Sequence, residues 1–496
     1  MKKNKKSTSN DGKQLKRQLS PMHVWALAFG CVIGWGSFVN PGKKFLPNSG
    51  VAGTAIAMAM GALVMIIIAC SYAYMVPKYP KAGGEFTFTK ECFGKTMAFV
   101  CGWFLIAAYL TNVPMNSTAI GLIVDGIDGS ADILKFGFHY TIAGFEIYFG
   151  EMIFAIAILL IFAVVNMFGV KKAAIVQTVL SSLLVVSVFT LAIAALISGK
   201  AQGINMQPIW GFDKSAAIAA GATTDNISEF AKGGTGGIMS AILATFAIAP
   251  WAYVGFDTIP QAAEEFKFSY KKVIGIMVIA ILFGCFVYTT NNTVAAAALK
   301  NWPDRVMKGE WVLLVAAEEM LGVFGKILIG VAVSCAVLSG IMGFYLASSR
   351  LMYSMAKDGY LPSVFGKING KYGTPINAII FCLIISLSGP ILGREALGWF
   401  VDMSSIGASM GFFFTSAAAF MSMRKDKDGN TFFKVMSILG MIFSVIFMIL
   451  QLIPIPGLNG VHFGKESYLM LLVWVVLGII FYFTKKKTIV NELEKK

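Results

Sequence analysis

The stretch GCVIGWGSFVNPG, residues 30–42, places four glycines and a Pro-Gly pair inside the first apolar segment of the chain. Each glycine weakens a helix by roughly 1 kcal/mol relative to alanine, and proline weakens it more. If the helix unwinds at Gly34-Trp35-Gly36, backbone N–H and C=O groups lose their partners at membrane depth, which is costly. These groups must then line a cavity or bind a ligand, and the N–H groups that begin the next half-helix suit a carboxylate.

A second apolar segment is interrupted in the same way. The sequence TFAIAPWAYVGFDTIPQAAEEF, residues 245–266, contains two prolines, a glycine and an acid, which are Pro250, Gly255, Asp257 and Pro260. Carbonyl groups at the end of a half-helix suit an ammonium group. The two broken segments together therefore predict a cradle for the zwitterion of an α-amino acid.

Close helix packing is the alternative explanation for the first glycine-rich segment. Gly30 and Gly34 have the spacing of the GxxxG motif, which lets two helices approach closely. Packing alone does not account for a matching interruption in a second segment, so the ligand cradle is the favoured interpretation.

The composition indicates that these segments lie in a membrane. Of the 496 residues, 57% are hydrophobic and 14% are charged, whereas soluble domains carry about 25% charged residues. The apolar residues come in blocks of about twenty, the length that spans a bilayer core of about 30 Å. We therefore predict an all-α, polytopic membrane protein.

Twelve apolar segments can be distinguished along the chain. They cover approximately residues 23–46, 51–76, 95–124, 147–167, 174–198, 238–262, 273–298, 323–354, 375–391, 396–423, 432–453 and 467–484. The interrupted segments are the first and the sixth, which occupy matching places in two halves of five helices. Because five is odd, the second half enters the membrane from the opposite side. This arrangement predicts a five-plus-five inverted repeat, followed by two peripheral helices.

This interpretation divides the chain into five parts. Residues 1–20 are predicted to form a disordered, basic cytoplasmic tail. The ten-helix core then occupies residues 21–391 (helices 1–9) and 392–425 (helix 10), the peripheral helices 11 and 12 occupy residues 426–485, and residues 486–496 form a second cytoplasmic tail.

The basic residues predict the orientation. With twelve spans, the side that holds both termini carries 29 of the 41 Lys and Arg residues, and the other side carries 12. This bias predicts cytoplasmic termini and a basic face that attracts anionic lipid. Because the charge flanks membrane spans, the net charge of +15 does not indicate nucleic-acid binding.

The chain offers little for metal or enzyme chemistry. Seven Cys without a CxxC pair and three scattered His favour free thiols, and they argue against a disulfide framework or a zinc or haem site. The sequence also lacks a P-loop, an HExxH motif and a nucleophile elbow. We therefore expect no catalytic residue, no bound metal and no cofactor, apart from a possible coupling proton or sodium ion.

Three stretches resemble the amino acid–polyamine–organocation superfamily of permeases. They are GCVIGWGSF in the first span, PWAYVGFDTIPQAAEEFK in the sixth and SSRLMYSMAKDGYLP at the end of the eighth, with weaker matches in PKAGGEFTFTKECFG and KYGTPINA. The resemblance runs from about residue 20 to about residue 425. It implies the LeuT-type fold, in which helices 1 and 6 are discontinuous.

The resemblance also implies a substrate-binding role for a set of residues in helices 1, 3, 6 and 8. The bend that binds the carboxylate would comprise Ile33, Gly34, Trp35, Gly36 and Ser37. The carbonyls near the ammonium would belong to Ala252, Tyr253, Val254 and Gly255, with Phe256 beside them and Trp251 as a gating aromatic residue. Phe344 and Asn112 match further positions that contact substrate. Ordinary helix packing is the alternative for each aromatic residue.

The coupling ion is left open by the sequence. Asp257 is a candidate for carrying a proton, although a structural role at the unwound backbone is the alternative. Many proton-coupled relatives have a lysine in the fifth helix where this chain has Leu184. Ser339 could contribute a hydroxyl to a sodium site, but Gly340 follows it where sodium-binding relatives tend to have a second hydroxyl. Uncoupled exchange is the third possibility.

The resemblance therefore predicts a non-enzymatic secondary transporter in the plasma membrane. It would move an amino acid or related amine by alternating access, as a symporter or an exchanger. The pocket aromatics suit a neutral, apolar side chain. A transport-derived sensor or a channel-like protein of the same fold is the alternative, although no selectivity filter is apparent. The oligomeric state is not indicated.

Overall fold

The computed structural model describes residues 15–128, 132–142, 145–231, 237–393, 396–426, 430–455 and 462–491. These residues form an almost entirely helical protein, as predicted. The helices are α1 Pro21–Val32, α2 Gly36–Asn40, α3 Leu46–Lys78, α4 Gly84–Phe93, α5 Lys95–Leu110, α6 Asn112–Asp128, α7 Phe149–Met167, α8 Val170–Ile197, α9 Lys214–Ala219, α10 Ile227–Phe230, α11 Ile238–Phe246, α12 Ala249–Tyr253, α13 Val273–Ala297, α14 Trp302–Met307, α15 Val312–Leu321, α16 Val323–Lys357, α17 Ile376–Ser386, α18 Ser388–Leu392, α19 Ala396–Lys425, α20 Thr431–Leu452 and α21 Lys465–Asn491.

Shorter elements connect these helices. A π-helical turn, Pro41–Phe45, joins α2 to α3, and 3₁₀ helices cover Gly203–Met206, Phe256–Glu265, Tyr270–Lys272 and Ser363–Gly366. The two strands, β1 His139–Ile142 and β2 Phe145–Tyr148, form an antiparallel hairpin in which His139 pairs with Tyr148.

Nine helical segments of the described residues are long and apolar enough to cross a membrane. They are Gly36–Lys78, Lys95–Ile127, Phe149–Met167, Val170–Ile197, Tyr270–Ala297, Val323–Lys357, Ala396–Lys425, Thr431–Leu452 and Lys465–Thr484. A bent pair, Ile238–Phe246 and Ala249–Glu265, forms a further candidate, and Pro21–Val32 and Ile376–Leu392 are shorter apolar helices. The all-α, polytopic membrane class is thus confirmed, whereas the count of twelve crossings and the inverted repeat stay predictions.

Both predicted interruptions are present. In the first segment, α1 ends at Val32 and α2 begins at Gly36, with Ile33 in an extended conformation between them. The sixth segment bends by 46° between α11 and α12. It then breaks a second time where α12 ends at Tyr253 and the 3₁₀ helix begins at Phe256.

Gly255 allows these two breaks to touch. Its φ of +137° lies in the region that residues with a side chain rarely adopt. A Cβ atom added there would lie 2.5 Å from the backbone nitrogen of Val32 and 2.7 Å from the carbonyl carbon of Cys31. Both neighbours are main-chain atoms, so the contact has no room for any residue larger than glycine.

The other helices enclose this contact. The helix α1 packs against α8, α13 and α16, while α19 packs against α3, α5 and α20. In the most apolar stretch of each helix, 78% of the residues of α19 are buried but only 11% of those of α21. The helix α21 is therefore an outer helix that presents apolar side chains to lipid. The seven cysteines are free, as expected.

The side of the protein that carries the N-terminal segment is closed around Glu265. The backbone N–H groups of Gln18 and Leu19 donate to the Glu265 carbonyl at 2.8 and 2.9 Å, and Lys267 N–H donates to the Leu19 carbonyl at 2.9 Å. The Glu265 side chain forms a buried ion pair with Arg350 of α16, with Nε and Oε1 2.8 Å apart. We call this side the N-terminal side. Residues 15–20, part of the predicted tail, are ordered along it, and residues 1–14 lie outside the described residues.

Breaking this ion pair should destabilise the fold. Glu265→Gln leaves the Arg350 guanidinium buried without a counter-charge, a change that costs about 3–5 kcal/mol. The matched change Asp358→Asn breaks the Lys90–Asp358 pair on the same side, in which both side chains are 31% exposed. Such a pair contributes about 1 kcal/mol or less.

Thermal unfolding of the two purified variants in detergent provides the comparison. We expect a clear fall in melting temperature for Glu265→Gln and a change close to the experimental error for Asp358→Asn. Equal melting temperatures for the two variants would show that the buried pair stabilises the fold no more than the partly exposed pair does.

Candidate functional site

The break in the first segment exposes main-chain donors. The backbone N–H groups of Gly34, Trp35 and Gly36 have no hydrogen-bond partner among the described residues. The carbonyl of Gly34 is occupied, because it accepts from the Ser37 hydroxyl at 2.9 Å and from the Ser37 N–H at 3.2 Å. The three free N–H groups at the start of α2 form a donor set that suits a carboxylate.

The break in the sixth segment exposes main-chain acceptors. The carbonyls of Ala252, Tyr253 and Val254 accept no hydrogen bond from the described residues. The Gly255 N–H donates to Asp257 Oδ1 at 2.7 Å, and the Gly255 carbonyl accepts from the Thr258 hydroxyl at 2.6 Å. Bonds on either side therefore hold the break open and leave these acceptors for an ammonium group.

Two tryptophans lie over the breaks. The rings of Trp35 and Trp251 are 6.1 Å apart, and Trp251 lies so close to Gly36 that a side chain there would collide with its ring. A cavity of about 510 Å³ reaches both rings, and its wall includes Asn40, Asp125 and Trp311. It lies at the end of α1–α2 remote from the N-terminal side, so we call it the outer cavity.

Space for a ligand lies next to Gly34. A Cβ atom added to Gly34 would meet only the Oδ1 atom of Asn116, at 3.8 Å. Asn116 is buried in α6, its Nδ2 donates to the Asn112 carbonyl at 2.7 Å, and its Oδ1 has no hydrogen-bond partner among the residues that the structure describes. An unpaired buried acceptor is costly unless something binds to it. Asn116 therefore offers an acceptor to a substrate N–H group.

Asn112 occupies a different position. Its Nδ2 atom donates to the Ala108 carbonyl at 2.6 Å and to the Ser404 hydroxyl of α19 at 2.7 Å. The structure thus directs this predicted contact residue towards the interface between α6 and α19, whereas Asn116, one turn along the same helix, lies at the break.

The other predicted aromatic residues lie around the cradle. Phe256 stacks on Phe412 of α19, with ring centres 5.5 Å apart. Phe344 of α16 is buried against Tyr109, with ring centres 6.4 Å apart. The Tyr253 hydroxyl donates to the Met58 carbonyl at 2.8 Å, so this side chain anchors α12 to α3.

Asp257 belongs to a buried polar cluster that the sequence interpretation missed. The Tyr109 hydroxyl lies 3.0 Å from Asp257 Oδ2 and 3.2 Å from Glu85 Oε1. Glu85 also accepts from Tyr72 at 2.8 Å and from Gln261 at 2.6 Å. Two acids from distant parts of the chain are thus connected by one tyrosine.

Ser339 lies next to α1, where a sodium site was considered. Its hydroxyl is 3.1 Å from the Gly30 carbonyl and 3.0 Å from the Ala336 carbonyl, and it can donate to only one of them at a time. In the described part of the chain, no group of three or more His, Cys, Asp or Glu residues could hold a metal ion. Leu184 of α8 is fully buried and apolar.

The missed residues differ in how visible they are in the sequence. Asn116 follows Asn112 by four residues, which places both on one helix face, so a closer inspection of α6 could have included it. Glu85 is an acid within the apolar run AGGEFTF. The sequence contains no indication that Tyr109 joins Glu85 to Asp257, because that contact depends on the packing of α4, α5 and the 3₁₀ helix.

Comparison with known proteins agrees with this geometry. A family model described as amino acid permease matches residues 19–481. The branched-chain amino acid permease BcaP of Bacillus subtilis is 25% identical over 487 residues, which cover 95% of this chain and 93% of that protein.

Two eukaryotic relatives match over shorter regions. The large neutral amino acids transporter small subunit 2 of Oryctolagus cuniculus is 28% identical over 77% of this chain and 65% of its own length. The vacuolar cationic amino acid transporter 4 of Arabidopsis thaliana is 25% identical over 81% of this chain and 63% of its own length. Since the family match covers most of the chain, including both breaks, the protein belongs to the amino acid permease family and is a transporter rather than an enzyme.

Proposed function

We propose that this protein is a secondary transporter for neutral amino acids with apolar side chains. The observation that supports the proposal most directly is the pair of touching breaks, which present free N–H groups at Gly34–Gly36 and free carbonyls at Ala252–Val254. These two sets complement the carboxylate and ammonium groups that every α-amino acid carries.

The surroundings of the cradle favour an apolar side chain. Trp35, Trp251, Phe256 and Phe344 contribute aromatic surface, while Glu85 and Asp257 are engaged by tyrosine and amide partners. Two relatives are named for branched-chain and large neutral amino acids. L-Leucine, L-isoleucine and L-valine are therefore the first substrates to test.

The two sides of the site support alternating access. The outer cavity reaches Trp35 and Trp251, whereas the N-terminal side is closed by Glu265 and Arg350. This is the arrangement of a carrier whose site is approached from the outer side. We place the protein in the plasma membrane with cytoplasmic termini, where the basic N-terminal side would lie on anionic lipid.

Transport in proteoliposomes tests the proposal. We expect vesicles that contain the purified protein and unlabelled L-leucine to take up labelled L-leucine, because binding on both sides permits exchange. Unlabelled L-isoleucine should compete with the label, whereas L-glutamate should not. The proposal is wrong if these vesicles, compared with protein-free ones, exchange none of the three apolar amino acids.

A methyl group at Gly34 should block binding without harming the fold. Gly34→Ala places its Cβ in the free space of the cradle, where it contacts only Asn116, so L-leucine should lose most of its affinity. Gly275 in α13 is exposed and has no atom within 4 Å of an added Cβ, so Gly275→Ala is the matched control.

The two glycine variants are compared by the rise in melting temperature that L-leucine causes in the purified protein. A ligand that binds only the folded state raises this temperature. We expect the ligand-free melting temperature not to fall in either variant, and the ligand-induced rise to be lost only in Gly34→Ala. A normal rise in Gly34→Ala would place the substrate elsewhere.

The two asparagines of α6 should respond differently to replacement. Asn116→Ala removes the Oδ1 acceptor that we expect to bind the substrate ammonium group. The affinity for L-leucine should therefore fall by about tenfold or more, as expected for a hydrogen bond to a charged group. Asn112→Ala removes the bond to Ser404 and should lower the melting temperature instead. Binding titrations and thermal unfolding of both variants separate the two roles, and an unchanged affinity in Asn116→Ala would exclude it as a substrate contact.

A further inference from the structure

Glu85 and Asp257 are two buried acids that have no basic partner in the described part of the chain. Both residues are fully buried, Glu85 at the start of α4 and Asp257 next to the break in the sixth segment. Among the described residues, neither acid forms an ion pair with Lys or Arg, and Arg350 is bound to Glu265. A buried carboxylate without a counter-charge is strongly disfavoured, so the charge of this pair needs an explanation.

The hydrogen bonds around Tyr109 supply part of that explanation. A tyrosine hydroxyl has one proton to donate, yet that of Tyr109 lies within 3.2 Å of acceptors on both Glu85 and Asp257. If both acids were ionised, one of these two contacts would place oxygen lone pairs against each other. One additional proton resolves the conflict, because a protonated carboxyl can donate to Tyr109 while Tyr109 donates to the other carboxylate.

None of the other described neighbours of Glu85 and Asp257 supplies a free positive charge to this cluster. Tyr72 of α3 and Gln261 of the 3₁₀ helix donate to Glu85, and Cys101 of α5 and Cys31 of α1 lie nearby. The helix α16 contributes Arg350, already bound to Glu265, and α19 contributes the apolar Phe412 against Phe256.

Glu85 itself has no room for substrate. Its Oε1 atom is approached by Tyr72 and Tyr109, and its Oε2 atom accepts from Gln261. The cluster can therefore hold a proton more readily than the second ammonium group of a basic amino acid.

The cluster is connected to the substrate cradle through Asp257. Asp257 Oδ1 accepts the Gly255 N–H at 2.7 Å and so fixes the break whose carbonyls face the ammonium. A change in the charge of Asp257 changes the strength of this bond, because an ionised acceptor binds an N–H group more strongly than a neutral one. Tyr109 also stacks against Phe344 of the cradle.

A route for protons lies on the N-terminal side. A cavity of about 420 Å³ there is lined by Ala82, Thr87, Ser354 and neighbouring charged residues. Thr87 follows Glu85 by two residues at the start of α4, and the adjacent glycines approach Ser354 and Gln261 closely. The acid is thus buried but lies a short distance from water.

We propose that Glu85, Tyr109 and Asp257 form a proton-binding site in which the two carboxyl groups share one proton through the tyrosine hydroxyl, and that its occupancy controls the break at Gly255. The bound proton comes from water on one side of the membrane and is released to water on the other, so the carrier couples the proton gradient to amino acid movement. This coupling rests on the proposed transport function, whereas proton binding does not.

Infrared difference spectroscopy of the purified protein tests proton binding without transport. We expect the carboxylic acid C=O band of a buried acid at neutral pH, which disappears at alkaline pH. The band should be lost in Glu85→Gln and in Asp257→Asn, because a single acid in the cluster can be ionised with Tyr109 as its donor. Glu466→Gln, the same change at an exposed glutamate at the start of α21, should leave it unchanged. A wild-type protein without the band, or a band that keeps its wild-type strength in both cluster variants, would overturn the proposal.

Proteoliposomes with an imposed proton gradient test the coupling. At one proton per substrate, a gradient of about one pH unit supports about tenfold accumulation of L-leucine. Wild-type protein and Glu466→Gln should accumulate L-leucine on the acid-to-neutral gradient. Glu85→Gln, which imitates a permanently protonated acid, should exchange L-leucine but fail to accumulate it. Tyr109→Phe keeps the ring beside Phe344 and removes only the bridging hydroxyl, so it should also lose accumulation; it carries the test if Glu85→Gln does not fold.

The outcomes separate the two proposals. Exchange of L-leucine by the wild type with no response to the proton gradient would overturn the coupling and leave the proposed transport function intact. A wild type that moves no amino acid but shows the expected carboxylic acid band would overturn the transport function and support the proton site.

Discussion

The structure depends on the contact between two unwound segments in an apolar interior. Gly255 lies against the end of α1 so closely that main-chain atoms of Cys31 and Val32 occupy the space of a side chain. Each break deprives several peptide groups of their helical partners, and such groups cannot turn to lipid. The surrounding helices therefore have to enclose them, and the enclosed, unpaired groups are available to bind a small polar solute.

The same constraint explains why local patterns in the sequence were informative at this site. Glycines at positions 34, 36 and 255 and proline at 250 weaken helices whatever their surroundings, so the two breaks could be predicted from residue types alone. Hydrophobic blocks likewise predicted the helices that lie at membrane depth. These features depend on residues that are close in sequence, and the family resemblance then supplied their roles.

Other parts of the site depend on contacts between distant residues. Asn116 and Asn112 lie on one face of α6, and only the packing of α19 determines that Ser404 satisfies Asn112 while Asn116 keeps a free oxygen. The connection of Glu85 to Asp257 runs through Tyr109, which lies 24 positions from Glu85 and 148 positions from Asp257 in the chain. Sequence patterns do not encode such distances, because many packings are compatible with the same helices.

One wall residue of the outer cavity, Trp311, is hydrogen-bonded to the half-helix α2. The indole N–H of Trp311, at the start of α15, donates to the Phe38 carbonyl in α2 at 2.8 Å. The connection between α13 and α16 is therefore hydrogen-bonded to the half-helix that follows the break in the first segment. A macromolecule that binds the connection between α13 and α16 from outside would restrain α2, and would stop the transport cycle without entering the cradle.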